Sequence, residues 1–148
     1  PHDAWLMIRG LRTLPIRMER IATTTAKVIA FLQAHPRVRH VYSPQASDNP
    51  QFGLTRRQLH GASGLVTIEL DAADVATVER FCNGLTRFLM TVSWGGYESL
   101  LFPVCAVFPQ DAPLQPATGV PLNFVRLSIG LEEADVLIAD LAGALQLL

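Results

Sequence analysis

Lysine is almost missing from this chain of 148 residues: Lys27 stands alone beside eleven arginines. A reaction that needs a lysine amine, a Schiff base above all, must use Lys27 or draw its amine from outside these residues. Cysteine is nearly as scarce. Cys82 and Cys105 have no metal-ligand spacing and form no disulfide framework. Charged residues make up only 17%, and the formal net charge is −1, which removes the electrostatic case for nucleic acid or an anionic membrane as partner. No apolar run approaches the ~18–20 residues of a membrane span. No charged segment followed by an apolar core opens the chain, so a signal peptide is not expected and the cytoplasm is the default compartment. His2, His35, His40 and His60 share no ligand spacing and have no acidic cluster to complete a set, so no metal site is expected. Walker A, G-x-G-x-x-G after a strand, and G-x-S-x-G are all missing.

What is present is apolar. Hydrophobic residues reach 49%, and mean hydropathy is positive. Two readings are open: a well-filled core, or an apolar face that lies against another domain or subunit. The length fits one domain with a real core.

The first third reads as a long helix. Leu11, Leu14, Met18, Ile21, Thr25, Val28 and Leu32 recur three or four apart and fall on one stripe. Pro15 bends that helix or marks a handover between two, and His35-Pro36 ends it. Lys27, near the seam, reads as a surface lysine reaching solvent along its own stem. Val38 to Tyr42 reads as a strand, and residues 43–63 as a long loop with one helical turn around Thr55 to Leu59. Gly64 to Leu70 alternates, with Val66, Ile68 and Leu70 on one face. Asp71 is a candidate N-cap, with Asp74 three residues on, for a helix striped by Val75, Val78, Cys82 and Leu85. Phe88 to Val92 is a third strand, and five prolines make Pro103 to Pro121 largely irregular. Phe124 to Ile129 is a fourth strand. Glu132 to Leu148 is a closing helix, with Glu132, Glu133 and Asp135 in its first turn and Leu137, Leu141, Leu145 and Leu148 on its buried stripe. The sum is α+β: a small antiparallel-leaning sheet with helices packed on one face, preceded by the long N-terminal helix.

Two segments carry chemistry. In Ser93-Trp94-Gly95-Gly96 a hydroxyl and an aromatic precede paired glycines, which allow positive φ and close approach of a ligand to the main chain. In Phe124-Val125-Arg126-Leu127-Ser128-Ile129, Val125, Leu127 and Ile129 point one way, so Arg126 and Ser128 point the other. A guanidinium there offers a planar fork of donors suited to a carboxylate. An arginine on a solvated face, a turn hydroxyl and a partly buried tryptophan are the plainer readings of Arg126, Ser93 and Trp94.

These segments, in order along nearly the whole chain, resemble the C-terminal domain of the pyridoxal-phosphate-dependent enzymes of cysteine and methionine metabolism. Arg9-Gly10-Leu11-Arg12-Thr13-Leu14 with Arg17-Met18 is similar to the family's long-helix signature. Gly61-Ala62-Ser63-Gly64 precedes a strand as it does there. Ser93 through Leu100 matches the serine–glycine–glycine–glutamate–serine–leucine motif, and Arg126 to Glu132 matches the arginine strand and the helix after it. Trp94, where most relatives carry leucine, together with Asp3-Ala4-Trp5-Leu6-Met7-Ile8, is most similar to the bacterial cystathionine β-lyase branch.

The resemblance implies the C-terminal domain of a fold-type I transferase, with residues 1–148 as that domain. It implies pyridoxal 5′-phosphate as cofactor, a sulfur-containing amino acid as substrate, and α,β-elimination of cystathionine to homocysteine, pyruvate and ammonia. Arg126 would bind the substrate α-carboxylate. Ser93 would lie beside the lysine that holds the cofactor, and Trp94 would shape the pocket. That lysine and the phosphate-binding groups would sit in a larger domain of the same polypeptide before Pro1, so this chain alone is expected to be inactive, and the full enzyme to be a homotetramer. A γ-lyase, γ-synthase or sulfhydrylase of the same family is the alternative, and a stand-alone binding or oligomerisation module a different one.

Overall fold

The computed structural model describes every residue except His60, Ala62, Gln110, Asp111 and Thr118. The Gly61–Gly64 motif therefore lies partly outside the described residues, as does one of the histidines considered as ligands. The elements run α1 (His2–Leu11), α2 (Leu14–Ala34), β1 (Val38–Tyr42), α3 (Phe52–Gln58), β2 (Leu65–Leu70), α4 (Val75–Gly84), β3 (Leu89–Met90), β4 (Leu100–Pro103), β5 (Phe124–Ser128) and α5 (Ala134–Leu145), with one 3-10 turn at Val104–Val107.

The expected long helix is two helices. Pro15 stands in the first turn of α2, where its missing N–H costs nothing, so it starts a helix rather than bending one. Arg17 fastens the joint, donating to the Gly10 carbonyl at 3.1 Å and to Thr13 Oγ1 at 3.3 Å. The stripe is buried only from Ile21 onward, through Thr25, Val28 and Leu32. Leu11 and Leu14 are exposed, and α1 buries nothing.

The five strands form one sheet in the order β1-β2-β5-β4-β3. All pairs are antiparallel except β3 with β4, so the sheet is mixed with an antiparallel majority. Alternation decides its faces. Val66, Ile68, Leu70, Leu101, Val125 and Leu127 join one core with Val28 and Leu32 of α2, Val78 and Phe81 of α4, and Leu137 and Leu141 of α5. Each such side chain contributes roughly 1.5–3 kcal/mol by leaving water. The opposite face, with Thr67, Glu69, Phe102, Phe124 and Arg126, is only half-covered.

Several boundaries differ from expectation: the turn expected at Thr55 to Leu59 is a helix from Phe52 to Gln58, and the closing helix ends at Leu145. The strand expected at Phe88 to Val92 shrinks to Leu89–Met90, because it pairs only with the short β4. β4 itself was not anticipated. Asp71 does not cap α4; Asp74 does, its carboxylate accepting from Thr77 N–H at 2.8 Å and Thr77 Oγ1–H at 2.6 Å. Asp71 instead accepts from Arg39 at 2.8 Å and Arg37 at 3.4 Å. The closing helix starts at Ala134 with Glu133 as N-cap, leaving Glu132 outside its first turn.

Candidate functional site

Arg126 stands in the middle of β5, paired with Thr67 of β2 on one side and Phe102 of β4 on the other. Its guanidinium lies 5.5 Å from the Phe102 ring centre, a cation–π contact that holds its stem against the sheet. From there Nη2 donates to the Val92 carbonyl and reaches the Ser93 carbonyl at 3.5 Å. Among the described residues no carboxylate lies within ion-pair distance of Arg126. The fork is therefore charge-uncompensated, and it holds the loop segment after β3 that carries Ser93.

The glycine turn completes the arrangement. Gly95 adopts φ +78, a left-handed conformation that glycine takes without strain. Its N–H donates to Ser128 Oγ at 3.4 Å, which folds the turn back over β5. Arg126 and Ser128, which with Phe124 face this side of the strand, thus hold opposite ends of the Val92–Gly95 segment. Ser93, Trp94 and Tyr97 remain exposed, and the Ser93 hydroxyl has no hydrogen-bond partner among the described residues. The site is an open surface bearing one cation, one free hydroxyl and one indole, an arrangement suited to the carboxylate and side chain of an amino acid.

Other features are set apart from it. A hollow of about 490 Å³ lined by His40, Tyr42, Asp48 and Asn49 lies beside β1, at the other edge of the sheet order. Among the described residues no group of three or more His, Cys, Asp and Glu gathers as a metal site, and no helix is long and apolar enough to cross a membrane. Burial pushes the Cys82 thiol up to about 12 and raises Cys105 as well, so neither is a ready nucleophile.

Sequence reasoning named Arg126, Ser93 and Trp94, and the first two meet at the Val92–Ser93 main chain. It missed Ser99 and misread Glu132 as a helix-dipole residue. Ser99 is fully buried, and its N–H and hydroxyl both donate to the Glu132 carboxylate at 2.8 Å. A serine at the head of an apolar run was the available signal; its partner, 33 residues away, was not.

The fold, a mixed five-stranded sheet with helices packed on one face, is that of the C-terminal domain of pyridoxal-phosphate-dependent transferases. A solved structure from Campylobacter jejuni, assigned as an O-acetylhomoserine (thiol)-lyase and carrying pyridoxyl-lysine monophosphate, superposes with TM-score 0.84 at 32% identity. The match covers 99% of this chain and 35% of that one. Residues 1–146 match the family described as Cys/Met metabolism PLP-dependent enzyme, and the chain belongs to that family. It is 42% identical over 144 residues to cystathionine beta-lyase of Bordetella avium, covering 97% of this chain and 35% of the relative. It is 34% identical over 148 residues to chloroplastic cystathionine gamma-synthase 1 of Arabidopsis thaliana, covering 99% and 26%. The chain thus spans about a quarter to a third of the length of these relatives.

The family depends on pyridoxal phosphate. Lys27, the one lysine, is exposed on α2, which packs on the helix-covered face of the sheet. Arg126 and Ser93 occupy the other face.

Proposed function

We propose that residues 1–148 are the C-terminal domain of a cystathionine β-lyase-like carbon–sulfur lyase, and that Arg126 binds the α-carboxylate of the amino-acid substrate. The observation that carries this is the uncompensated Arg126 guanidinium lying against Val92 and Ser93. A substrate carboxylate entering there gains charge-assisted hydrogen bonds from a fork whose stem is already held by Phe102. Fixing that end orients the rest of the amino acid, which converts binding into alignment of the reacting bonds. Ser93, with its hydroxyl free, places the substrate amine, and Trp94 walls the side-chain pocket. The larger domain of the same polypeptide supplies the cofactor, whose chemistry is that of an electron sink. This chain's part is to bind and orient, and alone it is inactive.

The β-lyase branch is favoured by Trp94 and by the higher identity to the Bordetella avium relative. The exposed apolar residues of α1, Trp5, Leu6, Met7 and Ile8 among them, suit a face covered by the larger domain or by other subunits of a homotetramer. The test is to assay the full-length protein with cystathionine and, separately, with O-acetylhomoserine plus a thiol. Pyruvate and homocysteine from cystathionine are expected. Turnover of O-acetylhomoserine alone would reassign the branch, and activity of residues 1–148 by themselves would overturn the division of labour.

A further inference from the structure

We infer that Glu132 is a positioning residue: acting through Ser99, its carboxylate fixes the substrate-binding segment Val92–Gly96 at the end of β5. This rests on the reading that Arg126 and Ser93 hold the substrate. Ser99 enters β4 fully buried, and both of its donors end on one carboxylate, its N–H on Oε1 and its hydroxyl on Oε2, each at 2.8 Å. The same hydroxyl oxygen accepts from Gly130 N–H at 2.9 Å, and Leu131 N–H donates to the Tyr97 carbonyl at 2.8 Å. Residues 97–99 are thereby stitched to residues 130–132. Two of the bonds end on a charge, which makes them stronger than neutral ones.

Gly130 is what allows the approach. A Cβ there would run into the Tyr97 carbonyl oxygen and come within 2.5 Å of the Glu98 carbonyl carbon, both main-chain atoms that cannot swing aside. The stitch lies just beyond the two other attachments, Arg126 on Val92 and Ser128 on Gly95. With those it pins the segment at three points to a single strand and its exit. Glu132 is not occupied in capping α5, whose N-cap is Glu133. Its carboxylate turns away from the helix and toward the segment.

The test uses the full-length protein with Glu132→Ala, which removes both acceptors, and Glu132→Gln, which keeps one. Hydrogen–deuterium exchange is followed in peptides spanning 92–99, with peptides of β2 and α5 as internal references. Exchange in 92–99 is expected to rise about ten- to hundredfold in Glu132→Ala and less in Glu132→Gln, with the references unchanged. KM for the amino-acid substrate is expected to rise in step while kcat changes far less. No acceleration in 92–99, equal acceleration everywhere, or a loosened segment with unchanged KM overturns the inference. Should Glu132→Ala fail to fold, Glu132→Gln gives the same comparison. If the unaltered protein turns over no amino acid and 92–99 still loosens selectively, the functional reading falls while the fixing of the segment by Glu132 stands.

Discussion

The two faces of the sheet obey one alternation and serve opposite ends. On the covered face Val125 and Leu127 lie in the core shared with α2, α4 and α5 and have no exposure at all. On the open face Arg126, between them in sequence, has no acid within ion-pair distance among the described residues; it touches an aromatic ring and two carbonyls. Adjacent residues of one strand therefore divide the labour: the apolar ones hold the fold, and the charged one is the residue we propose binds the substrate carboxylate. Substitutions that separate stability from binding can break or sharpen this contrast.

The largest effects come from neighbours on β5. Leu127→Ala should lower unfolding free energy by about 2–5 kcal/mol through lost burial and a residual cavity, read from the denaturation midpoint. Arg126→Ala, one residue away, should change stability by no more than about 1 kcal/mol. In the full-length enzyme it should raise KM and lower kcat/KM by the equivalent of about 2–5 kcal/mol. Equal stability losses at the two positions would erase the contrast. Gly130→Ala comes next: its Cβ meets main chain, so about 1–3 kcal/mol of destabilisation is expected on denaturation.

Smaller effects test the covered side. Cys82 and Cys105 are buried, with thiols raised by desolvation, so a disulfide reagent should label neither until the protein unfolds. Labelling at the rate of a free thiol would show that α4 and the sheet part readily. The smallest expected effect is at Asp74. Hydrogen bonds from the Thr77 side chain and backbone hold its carboxyl below the usual range, and Arg80 adds to this. Since the folded value is the lower one, the stabilisation is present above the ordinary aspartate range and is lost as pH falls through the depressed value. The melting-temperature difference between the parent protein and Asp74→Ala should therefore shrink on acidification; a difference that grows would reverse the assignment.

Legibility in the sequence divides along the same line. β2 and β5 could be read because period-two alternation is local, and with them the outward direction of Arg126. α2 could be read because its stripe is buried from Ile21 on. β4 was not legible. Leu100–Pro103 has no alternation to mark a face, and it is a strand because β5 lies beside it. The pattern points to Asp71 as the cap with Asp74 three residues on; the cap is Asp74, and Asp71 is engaged instead by Arg37 and Arg39, from the turn before β1 and from β1 itself. For the site, Arg126 and Ser93 could be named from the sequence, but not the contact of Arg126 with the Val92 and Ser93 carbonyls. Glu132 sat near a helix start, where acids are expected, and only the fold shows that its partner is Ser99. What remained hidden was in every case a pairing between distant segments.

One double-mutant cycle tests the central role of Arg126 most directly. Full-length enzyme, unaltered and Arg126→Ala, is titrated with a substrate analogue bearing a free α-carboxylate and with its α-carboxamide. The unaltered enzyme should strongly prefer the acid, and Arg126→Ala should bind acid and amide about equally, so that coupling resides in this pair of charges. If Arg126→Ala keeps the full preference for the acid, the carboxylate is held elsewhere and the account is wrong.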